Sequence, residues 1–201
     1  MALESYPELK DYSLYYIAES LFELKQYPKV VKKLDLLLSS FPHNRYKTEA
    51  EWMRVRALEA EGDKVKAIRL LADVTKRTPK SHRLLPEMIF KLAELSEDTG
   101  DYLFAHQIYR EFFINYPAHS SSIRAESRMR QIRRLEGFNP KPLMEIDYLK
   151  RVRNLLIKAR FEKVVKEIEG LEKRRSLVRG QFYVYKARAL QALGKRTAAD
   201  K

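Results

Sequence analysis

Apolar side chains along this chain recur every three or four residues, the spacing of one face of an α-helix. Between Tyr12 and Leu24 the stripe is Leu14, Ile17, Ala18, Leu21 and Phe22; between Pro28 and Ser40 it is Val30, Val31, Leu34, Leu37 and Leu38. Pro28 suits a helix start, where the backbone N–H it lacks has no intrahelical partner. The same pattern predicts helices over 45–61, 64–76, 85–99, 102–115, 123–136, 143–159, 162–172 and 178–193.

These stretches repeat. Pro42, Pro79 and Pro117 each close one, 37 and 38 residues apart. Short turns at Gln26-Tyr27, Gly62-Asp63, Gly100-Asp101, Gly137-Phe138, Arg160-Phe161 and Gly194-Lys195 follow at steps of 36, 38, 37, 23 and 34 residues. A Gly at such a turn supplies the left-handed conformation that ends a helix, and Asp63 and Asp101 are placed to cap the helix that follows. Small residues mark expected close helix contacts: Ala18, Ala57, Ala67, Ala93, Ala105, Ala187 and Ala199. Asn139-Pro140-Lys141-Pro142 interrupts the pattern, because two Pro there cannot continue a helix. The expected organisation is therefore helical repeats over 1–138 (three full pairs and one helix), a joint at 139–142, and further pairs over 143–201. The stretch from Lys195 begins like a helix and stops within two turns, so the last pair is expected to be truncated and the chain to be a fragment.

Composition narrows the chemistry. The 201 residues carry a net charge of +13, are 45% hydrophobic and include 6 Gly, 8 Pro and no Cys. Ample apolar material with little Gly or Pro argues against disorder. The absence of Cys excludes disulfides and thiolate chemistry. No run of about 18 apolar residues predicts a transmembrane segment, and Met1 to Lys10 lacks the pattern of an export signal. His43, His82, His106 and His119 have no spacing that gathers metal ligands on one helix face, so neither metal nor cofactor is expected. Glu59-Glu61, Glu94-Glu97-Asp98 and Glu167-Glu169-Glu172 share their helices with Lys and Arg, an arrangement that supports helices. No Gly-rich phosphate loop occurs, and no catalytic residue is assigned. Two features point instead to an interaction surface. Tyr12, Tyr15 and Tyr16 cluster on one predicted helix, as do Phe112, Phe113 and Tyr116 on another; such rings fill gaps between stacked helices or line a groove. Arg124, Arg128, Arg130, Arg133 and Arg134 crowd a single helix, followed by Arg151, Arg153, Lys158, Arg160, Lys173, Arg174, Arg175 and Arg179, so most of the net charge lies in the second half. Such a stripe attracts polyanions or acidic peptides; alternatively it is a solvated face of long side chains. The candidate interaction residues are Arg124, Arg128, Arg130, Arg133, Arg134, Arg151, Arg153, Tyr12 and Tyr16.

The unit over 85–117 places Leu92, Ala93, Gly100, Tyr102, Ala105, Tyr109 and Pro117 in an order that resembles the tetratricopeptide repeat. That resemblance implies an all-α fold, a right-handed α-solenoid of antiparallel helix pairs with protein or peptide partners. The repeat ends Ser40-Phe41-Pro42-His43-Asn44 and 113–120 are similar to those of bacterial envelope repeat proteins. Residues 148–156 with 160–165 resemble the stretch of soluble lytic murein transglycosylases that precedes the catalytic domain. This second resemblance implies a noncatalytic superhelical region of a periplasmic enzyme, meeting peptidoglycan through that parent. The family's catalytic signature, Glu-Ser followed by Gly-Leu-Met-Gln, follows none of Glu4-Ser5, Glu19-Ser20 and Glu126-Ser127. The alternative is a free-standing adaptor for outer-membrane assembly or cell division. A nucleic-acid partner is supported by charge alone and is not favoured. The periplasm is the expected compartment, the cytoplasm the other.

Overall fold

The computed structural model describes residues 9–135, 137–173 and 180–194. Among these there are ten α-helices and no strand: α1 Lys10–Glu23, α2 Tyr27–Ser40, α3 Lys47–Ala60, α4 Lys64–Arg77, α5 Leu85–Asp98, α6 Tyr102–Asn115, α7 Ser122–Ile132, α8 Glu145–Ile157, α9 Phe161–Lys173 and α10 Gly180–Ala192. The expected all-α helical-repeat architecture is therefore present. The first six helices are all 14 residues long, about 21 Å each at 1.5 Å per residue.

The chain forms two compact units, Met1–Gly100 and Asp101–Lys201. In the first, neighbours in sequence are neighbours in space. Each of α1 to α4 packs on the next helix, and α1 also reaches α3. Leu14, Ala18, Val30, Leu34, Leu37, Ala50, Met53 and Ala57 form one of its cores. Leu34 and Leu37 are wholly shielded, each worth about 1.5–3 kcal/mol of burial. Helix α3 is covered over an unusually wide arc, with Ala50, Glu51, Trp52, Met53, Val55, Ala57 and Leu58 all buried. The reason is that it lies against α1, α2 and α4 together.

In the second unit α6 packs on α7 and α8, α8 on α9, and α10 on both α8 and α9. Val152, Leu155, Val164, Ile168, Leu171, Phe182 and Ala189 make its core. Ala18, Ala57, Ala67, Ala93 and Ala105 are fully buried, as their spacing predicts. In α10 the fully buried small residue is Ala189, whereas Ala187 is half-buried; Ala199 lies outside the described residues.

The turns explain how the repeat is kept. Gly62, Gly100, Gly137 and Gly194 have φ of +86°, +83°, +72° and +72°, the left-handed region open to Gly at no steric cost. At the two turns without Gly, Lys25 (φ +56°) and Ala159 (φ +52°) take that conformation instead. Asp63 accepts from the Lys66 N–H and Asp101 from the Phe104 N–H, both at 3.1 Å, so both act as the expected caps. A second device recurs after the loop prolines. Asn44 Oδ1 accepts from Tyr46 N at 2.9 Å, His82 Nδ1 from Leu84 N at 3.3 Å and His119 Nδ1 from Ser121 N at 3.2 Å. Each side chain thus ties down the backbone two residues on, the local bonding that sets up turns. His82 and His119 are structural in this sense, with Nδ1 used as an acceptor.

Candidate interaction surfaces

The first helices of three successive pairs, α1, α3 and α5, contribute the walls of a groove in the first unit. It has a volume of about 540 Å³ and is lined by Phe22, Trp52, Arg56, Glu59, Ala60, Glu87 and Lys91. Trp52 is 6% exposed. The i, i+4 spacing of Trp52 and Arg56, and of Glu87 and Lys91, puts each pair on one helix face. The Arg56 guanidinium stacks over the Phe22 ring at 4.5 Å, which holds the long side chain along the wall. Lys91 Nζ lies 3.3 Å from Glu59 Oε1 and 3.5 Å from Glu94 Oε2. The result is an aromatic floor with alternating charges on its rim, two of each sign.

The exposed Tyr12 and Tyr16 lie in the same unit, in a four-ring cluster with Tyr15 and Tyr46. Tyr15 stacks on Tyr46 at 4.4 Å between centroids, and Tyr12 tilts against Tyr16 at 4.5 Å. A hydrogen bond to Tyr16 raises the Tyr12 phenol pKa above 10.0. Burial does the same for Tyr15, with help from Glu19 and Glu49. Tyr12 and Tyr15 therefore remain neutral at physiological pH, and the cluster offers apolar faces with polar rims.

The expected basic face belongs to the second unit and is carried by α7 and the residues just after it. Arg124, Arg130, Arg133 and Arg134 are exposed and Arg128 is half-buried; Arg153, on α8, is exposed. Part of the charge is engaged locally: Arg130 pairs with Glu126, and Arg128 Nη1 donates to Gln131 Oε1 at 2.9 Å. Arg151 is not on this face. Its side chain is buried, and its guanidinium donates to Glu167 Oε1 (2.9 Å), the Phe113 carbonyl (2.6 Å) and Ser122 Oγ (2.7 Å). It also lies 3.7 Å from the Phe113 ring centroid. One side chain thereby ties α6, α7 and α9 to α8, a structural role that sequence alone disguises as one more Arg in a basic run. Arg174, Arg175 and Arg179 lie outside the described residues.

A second cleft, of about 400 Å³, opens in this unit among His106 of α6, Glu126, Met129, Arg130 and Arg133, the Pro142-Leu143 segment and Tyr148 of α8. His106 is 4% exposed. Burial, with Arg110 and Arg133 adding like charge, lowers its pKa below 6.5 and keeps the imidazole neutral at pH 7. Sequence reading overlooked both clefts, because each draws residues from three or more separate segments; the i, i+4 placement of Trp52 with Arg56 is the one local signal of the first. Among the described residues no cluster of His, Asp or Glu is arranged to hold a metal ion, and no helix is long and apolar enough to cross a membrane.

No curated protein sequence matches the chain. The chain is similar to two solved structures from Podosopora anserina, of a putative kinesin light chain's nearly identical TPR-like repeats. One is a single-substitution form of the other, and each is 16% identical to this chain, covering 96% of it and 90% of its own length, with TM-scores of 0.41 and 0.42. By sequence, the model of the tetratricopeptide repeat family matches residues 12–44, the segment that contains α2 and most of α1.

Proposed function

We propose that this chain is a noncatalytic scaffold that binds an extended peptide of a partner protein in the α1–α3–α5 groove. The observation that carries the reading is the groove itself: a shielded Trp52 and a half-buried Phe22 at its floor with Arg56, Lys91, Glu59 and Glu87 along its rim. Buried aromatic floors with polar rims are how interfaces concentrate their binding energy. Stacked helix pairs supply a long surface for chains without a compact shape. With both signs of charge present, the groove suits a peptide of mixed charge with an apolar or aromatic anchor.

The narrower reading is the superhelical part of a lytic murein transglycosylase in the bacterial periplasm, with an envelope adaptor as its alternative. Its support is the repeat ends at 40–44 and 113–120 and the stretches 148–156 and 160–165, all of them sequence likenesses.

The groove is tested by selecting peptides from a displayed random library on the purified protein. The selected peptides are expected to lose binding to the double variant Arg56→Glu, Lys91→Glu. That variant changes one exposed and one half-buried side chain and leaves the floor intact. Equal binding by the variant, or a selection that yields no peptide, overturns the reading.

A further inference from the structure

We propose that the cleft around His106 in the second unit is a binding site for a small apolar monocarboxylate, separate from the peptide groove. His106 is more than nine-tenths buried, it lines the cleft, and among the described residues neither ring nitrogen has a hydrogen-bond partner. Its one described ring contact is edge-on to Phe138, at 6.3 Å between centroids. Its ring nitrogens are not among the unpartnered side-chain atoms sealed from solvent, so they open onto the cleft and can bond to a group that the cleft receives.

Charge decides what that group is. The walls hold the guanidinium groups of Arg130 and Arg133 and the carboxylate of Glu126, and Arg130 is already paired with Glu126. Arg110, which faces His106 from its own helix, pairs with Asp147 at 2.5 Å. What remains is a single positive charge, that of Arg133, beside a neutral imidazole able to donate one N–H. This matches a monoanion: a phosphate near −2 would leave one charge uncompensated beside Glu126. Met129, Leu143, Pro142 and the Tyr148 ring supply the apolar remainder. A volume of about 400 Å³ is at the small end for ligand sites. A carboxylate on a compact apolar body satisfies all three demands, whether it comes as a free acid or as the last residue of a peptide.

The test uses the full chain with its four His labelled at the ring carbons, the His106 signal being assigned with His106→Gln. N-acetyl-leucine is titrated in, N-acetyl-leucinamide serves as the neutral control, and a hexapeptide ending in a free Leu carboxylate forms a second arm. The acid is expected to shift the His106 signal and to raise the pH at which it titrates; the amide is expected to do neither. Arg133 is exposed, so Arg133→Gln is expected to fold and to weaken the acid on the order of tenfold or more, the loss of a charge-assisted contact. If the peptide binds as well, the natural ligand is a chain terminus; if only N-acetyl-leucine binds, it is a free acid, and both outcomes uphold the site. No shift at saturating N-acetyl-leucine, equal binding of the amide, or unchanged affinity in Arg133→Gln overturns it. The peptide groove stands or falls separately, because no residue is shared between the two sites.

Discussion

Ala159 and Lys25 hold the left-handed conformation at the two turns where the repeat lacks Gly. A Cβ in that region costs about 1–2 kcal/mol, partly offset because Gly also loses more freedom on folding. Ala159→Gly, at an exposed site, is expected to raise the urea midpoint by about 0.5–1 kcal/mol of stability; an unchanged or lower midpoint would show the turn to be relaxed with Ala. His106 gives a second prediction at this scale. Its folded pKa lies below the unfolded value of 6.5, so below pH 6.5 the unfolded chain takes up the proton first. The stability it contributes is complete above pH 6.5 and is lost as pH falls through that value toward the folded pKa. Denaturation at pH 7.5 and 5.5 should show a smaller loss for His106→Gln than for the parent chain. None of this was visible residue by residue: the four Gly turns announce themselves, but nothing in Lys25 or Ala159 advertises a positive φ, and His106 reads like any other His until α7 and α8 enclose it.

At the scale of elements, the apolar periodicity placed all ten helices among the described residues, because each is a short amphipathic unit with its own punctuation. What periodicity could not show is which side chains cross between helices. Phe113 and Ile114 sit near the end of α6, where helix carbonyls lose their intrahelical partners. Arg151 and Asn154, three apart on α8, donate to those two carbonyls at 2.6 and 2.9 Å. Arg151→Ala is expected to cost about 3 kcal/mol, since it removes a buried guanidinium and leaves the Phe113 carbonyl and the half-buried Glu167 without their partner. Arg151→Lys should recover only part, because an ammonium cannot span three acceptors in the guanidinium's plane. Thermal unfolding of the two variants checks both statements, and a loss below about 1 kcal/mol for Arg151→Ala would make the bond network incidental. The start of α8 was expected at Leu143 and is found at Glu145. The cause is Asp147, whose carboxylate accepts from the Met144 N–H at 2.8 Å and from Arg110 at 2.5 Å, fixing the first turn two residues later.

For the whole molecule, charge and shape divide the labour. Residues 1–100 carry 17 basic and 16 acidic side chains, and residues 101–201 carry 23 and 11. The aromatic groove lies in the balanced unit and the basic helix in the other, so the feature most conspicuous in the sequence is not where the clearest peptide-sized groove lies. RNA retained by the basic unit through phosphates alone should be released as salt rises, with the logarithm of affinity falling linearly against the logarithm of salt. Filter binding of a homopolymer at 0.05 and 0.2 M salt is expected to show that fall; salt-resistant, sequence-selective retention would instead require a nucleic-acid role. Trp52, the only Trp in the chain and part of the groove floor, reports on a bound peptide directly. Titrating a library-selected peptide that lacks Trp while following Trp52 emission is expected to give a saturable blue shift in the parent chain. The shift should be absent in Arg56→Glu, Lys91→Glu at the same peptide concentrations. Tight peptide binding with Trp52 emission unchanged would place the partner elsewhere and contradict the account.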